Sequence, residues 1–366
     1  MRKQEIDYIL TRMLDSYGNV SDLNITVGKP FQVETSGLLT GVDIDPPFQE
    51  LTPFQSEVFA LNLINQDRRL SQILLTEGSC DLSYELPGKA RFRVNIFSQR
   101  GNYSVILRKL ETKIPTCQEL GLPQAFLKMA QEKNGIILVT GATGHGKTTT
   151  LAAMVDYINE RRAHHILSLE DPIEFIHPLK KAVVNQRQLG SSTLSYHNAL
   201  KGALRQDPDV IVIGELRDLD TISMAISAAE TGHLVIGTLS TSNAAKTVER
   251  IINSYPPGEQ NQIRTMLSES LKMVLTQRLI AGKDRKQMVL AVEILVGNLS
   301  VANQIRDNKT YQIPSTMQMG KKQGMQLMDD SVFTLYEAGR ISPEAAVINL
   351  ESQVLRKRII AAAKGS

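Results

Sequence analysis

The spacing of hydrophobic residues separates an N-terminal region from the rest of the chain. In residues 3–17 apolar residues recur at helical spacing, which predicts an amphipathic helix, and a second helical stretch covers residues 53–64. Short strand candidates surround it, separated by Gly/Pro turns such as residues 28–30. These candidates are residues 22–27, 31–33, 82–86, 92–98 and 104–107. The pattern predicts a small α+β domain over residues 1–110.

The pattern changes after residues 111–123, a stretch with two prolines and no clear period that we predict to be a linker. Beyond it, continuous apolar runs at residues 135–140, 165–169, 210–213 and 234–239 alternate with helical segments. Such alternation is typical of a parallel sheet covered on both faces. We expect two further strands near residues 288–294 and a mainly helical chain from about residue 259 onward. Residues 124–366 are therefore predicted to form one α/β domain.

Composition narrows the class of protein. Cys80 and Cys117 are the two cysteines, without a CxxC motif, which argues against a disulfide framework or a zinc site and favours a reducing cytosol. The first twenty residues contain no apolar signal segment, and no apolar run is long enough for a membrane helix. Tryptophan is absent and the net charge is only +3, so we expect no nucleic-acid partner.

A phosphate-binding loop is the strongest motif. The sequence from Gly141 to Thr148 fits G-x4-G-K-[ST], follows an apolar strand and precedes a helical run. Its backbone N–H groups would wrap phosphates, Lys147 would reach the β- and γ-phosphates, and the Thr148 hydroxyl would bind Mg²⁺. We therefore predict binding of ATP with Mg²⁺. The predicted binding residues are Gly141, Ala142, Thr143, Gly144, His145, Gly146, Lys147, Thr148 and Thr149.

Acidic residues follow two of the other predicted strands. Gly214-Glu215 follows residues 210–213, where a carboxylate facing Mg²⁺ belongs, although a merely solvated carboxylate is the alternative. Glu170, Asp171 and Glu174 lie within five residues and would repel one another unless a cation or an arginine were near. A Mg·ATP site would supply such a cation. One of them could activate the attacking water, but a solvated loop is an equally good interpretation.

A third polar segment flanks the strand at residues 234–239. His233 precedes this strand, where a lone histidine is more often structural. The cluster from Ser240 to Asn243 follows it and suits helix capping and γ-phosphate sensing equally well.

Together these segments resemble a known family. GATGHGKTTTLAAM, LEDPIEFIH, LRQDPDVIVIGELRD and AAETGHLVIGTLSTSNA stand in the order and spacing of the Walker A motif, Asp box, atypical Walker B motif and His box of the secretion ATPases of type II and type IV pilus systems. SDLNITVGKP and ARFRVNIFSQRG look like that family's PAS-like domain, and residues 310–331 are similar to the tail of its pilus-retraction (PilT-like) branch. The resemblance implies a RecA-like P-loop ATPase domain behind a PAS-like α+β domain.

The resemblance also implies roles for individual residues. Glu174 would be the catalytic base, Glu215 would act on Mg²⁺ or water, and His233 would lie near the nucleotide. Arginines of the N-terminal domain would close over the phosphates. The best matches are Arg93 and Arg100, with Arg91 and Arg108 as further candidates and Arg217 more structural.

The implied activity is ATP hydrolysis by a homo-hexameric motor that retracts type IV pili and so drives twitching motility. Its partner would be an inner-membrane platform protein, which would place it in the cytoplasm, peripheral to the inner membrane, with membrane contact only through partner proteins. Two alternatives remain: an assembly or type II secretion ATPase, and a nucleotide-binding regulator with little turnover. Three positions depart from the family's usual residues: Ser240 replaces His, His145 replaces Ser and Asn24 replaces His.

Overall fold

The computed structural model describes residues 3–44, 50–190, 192–193, 195–284 and 287–364. Residues 363 and 364 are described by their backbone alone. The chain forms two compact units. Unit 1 comprises Met1–Lys113 together with Pro172–Ile176, and unit 2 comprises Ile114–Asp171 and His177–Ser366. No helix in the described ranges combines the length and the apolar character that crossing a membrane requires.

Unit 1 is built on an antiparallel sheet. Its elements are α1 (Lys3–Asp15), β1 (Val20–Ile25), β2 (Gln32–Thr35), β3 (Leu38–Gly41), α2 (Pro53–Ile64), α3 (Arg68–Glu77), β4 (Ser79–Leu86), β5 (Ala90–Gln99) and β6 (Asn102–Leu110). Over its described residues the strand order is β3-β2-β1-β6-β5-β4. Alternate residues of β5 (Phe92, Val94, Ile96) are fully buried, so one face of the sheet supplies the core.

The two predicted helices and five predicted strands of unit 1 are confirmed, with ends shifted by a few residues. β3 and α3 were not predicted from the sequence. Both leucines at the start of β3, Leu38 and Leu39, are exposed, so this short strand lacks the alternation that identifies a half-buried one.

Unit 2 is built on a mixed sheet. Its strands are β7 (Gly135–Gly141), β8 (His165–Glu170), β9 (Val183–Gln188), β10 (Val210–Ile213), β11 (Leu234–Leu239), β12 (Leu271–Ala281) and β13 (Met288–Val296). In the part of the chain that the structure describes, their order is β13-β12-β7-β11-β10-β8-β9. The β12–β13 pair is antiparallel, whereas the other described pairs are parallel.

Helices cover both faces of this sheet, as predicted. They are α4 (Gln124–Met129), α5 (Lys147–Arg161), α6 (Tyr196–Ala203), α7 (Leu219–Glu230), α8 (Ala244–Asn253), α9 (Gln260–Ser270), α10 (Leu299–Arg306), α11 (Ile313–Met319), α12 (Met328–Glu337), α13 (Pro343–Asn349) and α14 (Gln353–Lys364). Successive residues of β7 feed different cores: Ile136 and Leu138 pack into one hydrophobic cluster, Ile137 and Val139 into another. The fold is therefore α/β, with a buried central strand leading into the phosphate loop.

The chain after residue 259 is mainly helical, as expected, but the sheet is not wholly parallel. Of the two further strands expected near residues 288–294, β13 lies there and β12 begins earlier, at Leu271. β12 runs for 11 residues in that region and pairs with β13. Residues Leu271 and Met273–Gln277 are buried between neighbouring strands, so apolar and polar side chains follow one another without alternation. β9 was missed because it is a partly exposed edge strand with a mixed sequence.

Candidate functional site

The phosphate loop begins where β7 ends. Gly141 has φ +145°, and a Cβ there would lie 2.6 Å from the Gln277 carbonyl oxygen on β12, so this position accepts only glycine. Gly146 precedes α5 with φ +79° and has no side chain that could cap the helix. The first N–H groups of α5 therefore remain available to an anion, which the helix dipole also favours.

Lys147 folds over its own loop. Its Nζ donates to the carbonyl oxygens of Gly141 at 2.9 Å and Ala142 at 3.1 Å. Burial lowers the pKa of this ammonium, while the nearby Glu215 carboxylate raises it. Thr148 and Thr149 follow, half-buried, in the first turn of α5. The cation and both hydroxyls thus stand at the carboxyl end of the sheet.

Glu215 follows β10 at the same edge of the sheet and is held by two donors. Arg217 Nε donates to its Oε2 at 2.6 Å, and Ser240 Oγ, just after β11, donates to its Oε1 at 3.1 Å. Burial opposes ionisation, but Arg217, Ser240 and the charge of Lys147 outweigh it, so the pKa of Glu215 is lowered. The carboxylate is ionised at neutral pH.

The first two acids of the Asp box have separate partners. Glu170 is buried and accepts hydrogen bonds from Ser168 and, at 2.9 Å, from Gln186. Asp171 lies 3.5 Å from Arg217. Asp171 thus has an arginine beside it, one of the two kinds of neighbour that the sequence leads us to expect, and Glu170 has polar donors.

The third acid lies in a segment that groups with unit 1. Arg91, on β5, donates to the carbonyl oxygens of Ile173 at 2.9 Å and Glu174 at 3.1 Å. Two bonds from one guanidinium fix the backbone that carries Glu174. The resemblance implies Arg91 as a candidate phosphate ligand, and nothing in its local sequence indicates this contact with a segment 82 residues away.

The other candidate arginines lie on the same sheet of unit 1. Arg93 is exposed on β5 and is paired across the ladder with Arg108, whose Nε contacts Asp22 at 2.8 Å. Arg100 is exposed with φ +49° in the turn between β5 and β6. Arg108 is thus engaged in an ion pair within unit 1.

His233 is not brought to its own chain's phosphate loop. It precedes β11, and the parallel register pairs Leu234 with Gly135, the first residue of β7, and Leu239 with Thr140 near its end. The six residues of β11 span about 20 Å at about 3.3 Å per residue. The expectation that His233 lies near the nucleotide is therefore wrong for a single chain, because the histidine stands at the opposite edge of the sheet.

The polar cluster after β11 divides its two expected roles between different residues. Asn243 is the N-cap of α8, and its side chain accepts from the Lys246 N–H at 2.8 Å. Ser240 instead contacts Glu215. The prediction that Ser240 caps α8 is wrong, because its hydroxyl donates to the Glu215 carboxylate instead.

The residues predicted to hold Mg²⁺ suit that ion chemically. Thr148 supplies a hydroxyl and Glu215 an ionised carboxylate, both hard oxygen ligands. Among the residues that the structure describes, no three His, Cys, Asp or Glu side chains cluster as a metal site. This donor set fits an ion held mainly by a substrate's phosphates and water, as Mg²⁺ commonly is.

Comparison with known proteins places the chain beside a group of molecular motors. The family described as Type II/IV secretion system protein matches residues 72–354. The twitching motility protein of Neisseria gonorrhoeae is 52% identical over 266 residues, 73% of this chain and 71% of that protein. The type IV pilus retraction ATPase PilT of Pseudomonas aeruginosa is 43% identical over 328 residues, 89% and 93% of the two chains. The crystal structure of the pilus retraction motor PilT with bound ADP matches with a TM-score of 0.87 and 39% identity, over 98% of this chain and 99% of that one.

Proposed function

Because the chain belongs to the Type II/IV secretion system protein family, we propose that it is the motor ATPase that powers type IV pilus retraction and twitching motility. The single observation that carries the proposal is the likeness over nearly its whole length to the PilT retraction motor, itself an ADP-binding protein. The uncapped N-terminus of α5 and the adjacent Lys147 would bind a triphosphate at the phosphate loop, residues 141–148.

The chemistry divides among a few side chains. The N–H groups of residues 141–148 and the Lys147 ammonium bind the phosphates and stabilise the charge that develops in the transition state. Thr148 and Glu215 would hold Mg²⁺, which neutralises phosphate charge when bound. Glu174 takes a proton from the attacking water, on a backbone that Arg91 fixes. Arg93 and Arg100 add positive charge when the arginines of the N-terminal domain close over the phosphates. His233 has no role in the site of its own chain.

The mechanical part of the proposal concerns assembly. The chain works as a homo-hexamer, and nucleotide-dependent reorientation of the two units performs the work. It acts at the cytoplasmic side of the inner membrane, through a platform protein of the pilus machinery.

The test is a strain lacking the chain, complemented with wild type, Glu174→Gln or the surface control Glu230→Gln. A retraction motor predicts surface pili without twitching in the deletion and in Glu174→Gln, and full rescue by wild type and the control. Loss of surface pili would identify an assembly ATPase instead.

Purified protein supplies the second arm. Glu174→Gln should bind ATP but release phosphate at least about a hundredfold more slowly, since an amide cannot accept the proton. Wild-type protein that binds ATP without releasing phosphate would overturn the motor proposal and identify a regulator.

A further inference from the structure

β12 extends beyond the end of its neighbour β7 at the phosphate loop. The two strands pair in parallel up to Gly141 and Gln277, where β7 turns away, while β12 continues to Ala281. On its other edge β12 is paired with β13 along this stretch. The next β12 N–H on the β7 side, that of Leu279, has therefore lost its strand partner.

His145 takes the place of that partner. Its Nδ1 accepts the Leu279 N–H at 2.9 Å, and its carbonyl oxygen lies 3.4 Å from the Gln277 side-chain nitrogen. A half-buried backbone N–H without a partner destabilises the fold. The His145 side chain supplies the hydrogen bond that a further residue of β7 would otherwise make. The residue in contact stands two positions before Lys147, inside the loop that would bind phosphate.

We propose that His145 is a positioning residue for the nucleotide. This role rests on the proposed ATP-binding function. The imidazole links the phosphate loop to β12 and so holds the N–H groups of the loop and the Lys147 ammonium in position for a triphosphate. Ordering the loop before binding reduces the entropy that binding would otherwise cost.

The bond also fixes the protonation state of the ring. An imidazole that accepts at Nδ1 is neutral and carries its proton on Nε2. Burial lowers the pKa of His145 below its ordinary value of 6.5, and two cations facing it, Arg278 on β12 and Lys147 on α5, lower it further. The tie is therefore complete at neutral pH and is lost only as pH falls through this lowered pKa, because a protonated ring turns two donors toward each other.

Nucleotide affinity tests the role directly. His145→Ala should weaken binding of ADP, measured by calorimetry at pH 7.5, by about tenfold, the effect of losing one hydrogen bond to a half-buried N–H. It should raise the KM for ATP similarly and leave kcat within about twofold. His145→Asn, whose Oδ1 can accept in the place of Nδ1, should restore affinity to within about threefold. The exposed His197→Ala is the matched control and should bind ADP like wild type.

A spectroscopic arm separates positioning from general stability. Nitrogen-15 NMR of the wild-type protein should find His145 unprotonated at Nδ1 at pH 7.5, and the Leu279 amide should shift as the ring titrates. Unchanged ADP affinity in His145→Ala, failure of His145→Asn to rescue a defect, or a proton on Nδ1 would each overturn the proposal. Wild-type protein that binds no nucleotide would overturn the proposed function as well, whereas a silent His145→Ala beside an inactive Lys147→Ala would overturn only this inference.

Discussion

The two ends of β11 carry polar residues of opposite significance. At its start, His233 Nδ1 lies 3.1 Å from the Ala228 carbonyl oxygen and 3.3 Å from the Thr231 hydroxyl, contacts confined to the turn after α7. At its end, Ser240 contacts Glu215 from the neighbouring strand β10, near the loop that leaves β7. In open α/β sheets, ligands bind outside the carboxyl ends of the strands, where side chains that follow different strands meet.

The role of a residue in such a motif therefore depends on whether it lies at the amino or the carboxyl edge of the sheet. The box that contains both residues spans the whole strand, so its letters alone do not distinguish a catalytic end from a structural one. Substitutions at the carboxyl edge should change turnover, and those at the amino edge should change stability.

Lys147→Ala should produce the largest effect at the carboxyl edge. Removing the ammonium strips charge stabilisation from the transferring phosphoryl group, and ATP hydrolysis should fall at least about a hundredfold. Steady-state phosphate release measures it, with the exposed Lys201→Ala as control. Turnover within a few-fold of wild type would show that the edge carries no catalytic site.

Glu215→Gln should come next. The amide keeps the size of the side chain but loses the negative charge offered to Mg²⁺ and to Arg217, so turnover should fall by about ten- to a hundredfold and require more Mg²⁺. Hydrolysis rates across a Mg²⁺ titration test this, with Glu230→Gln as control. A lower rate at an unchanged Mg²⁺ requirement would assign Glu215 to water rather than to the metal.

Ser240 should have a smaller effect because it acts through Glu215. Its bond to an ionised but partly exposed carboxylate is worth about 1 kcal/mol, so Ser240→Ala should change turnover by about fivefold. Ser240→His, which introduces a ring able to carry charge, should also change the rate severalfold, more readily upward. Equal rates in all three proteins, measured at saturating ATP, would remove Ser240 from the site.

Much of the fold follows from patterns that the sequence displays. Residues 135–141 form one buried apolar run with a glycine-rich loop after it, and the strand, loop and helix stand where the motif requires them. β12 escaped prediction because polar residues interrupt its apolar run at Lys272 and at residues 276–278, so it shows neither a continuous apolar run nor regular alternation.

The site divides along the same line. Lys147, Thr148 and Glu215 follow recognisable strands, so the sequence predicts the edge on which they stand. The contacts of Arg91 with residues 173–174 and of His145 with Leu279 join segments more than eighty residues apart. No local pattern encodes such contacts, since they arise only when the sheets and loops have folded.

His233→Ala is the smallest expected effect and the sharpest test of the amino edge. Its ring and backbone N–H both contact the Ala228 carbonyl oxygen at the end of α7, so the substitution should lower the free energy of unfolding by about 1 kcal/mol. Turnover should stay within about twofold, because about 20 Å of strand separates this edge from the phosphate loop. Melting temperature and phosphate release, measured together with the control His197→Ala, distinguish the two effects. If turnover instead falls more than tenfold at an unchanged melting temperature, His233 acts on a neighbouring copy of the chain, and the contrast between the edges holds within one chain but not across the assembly.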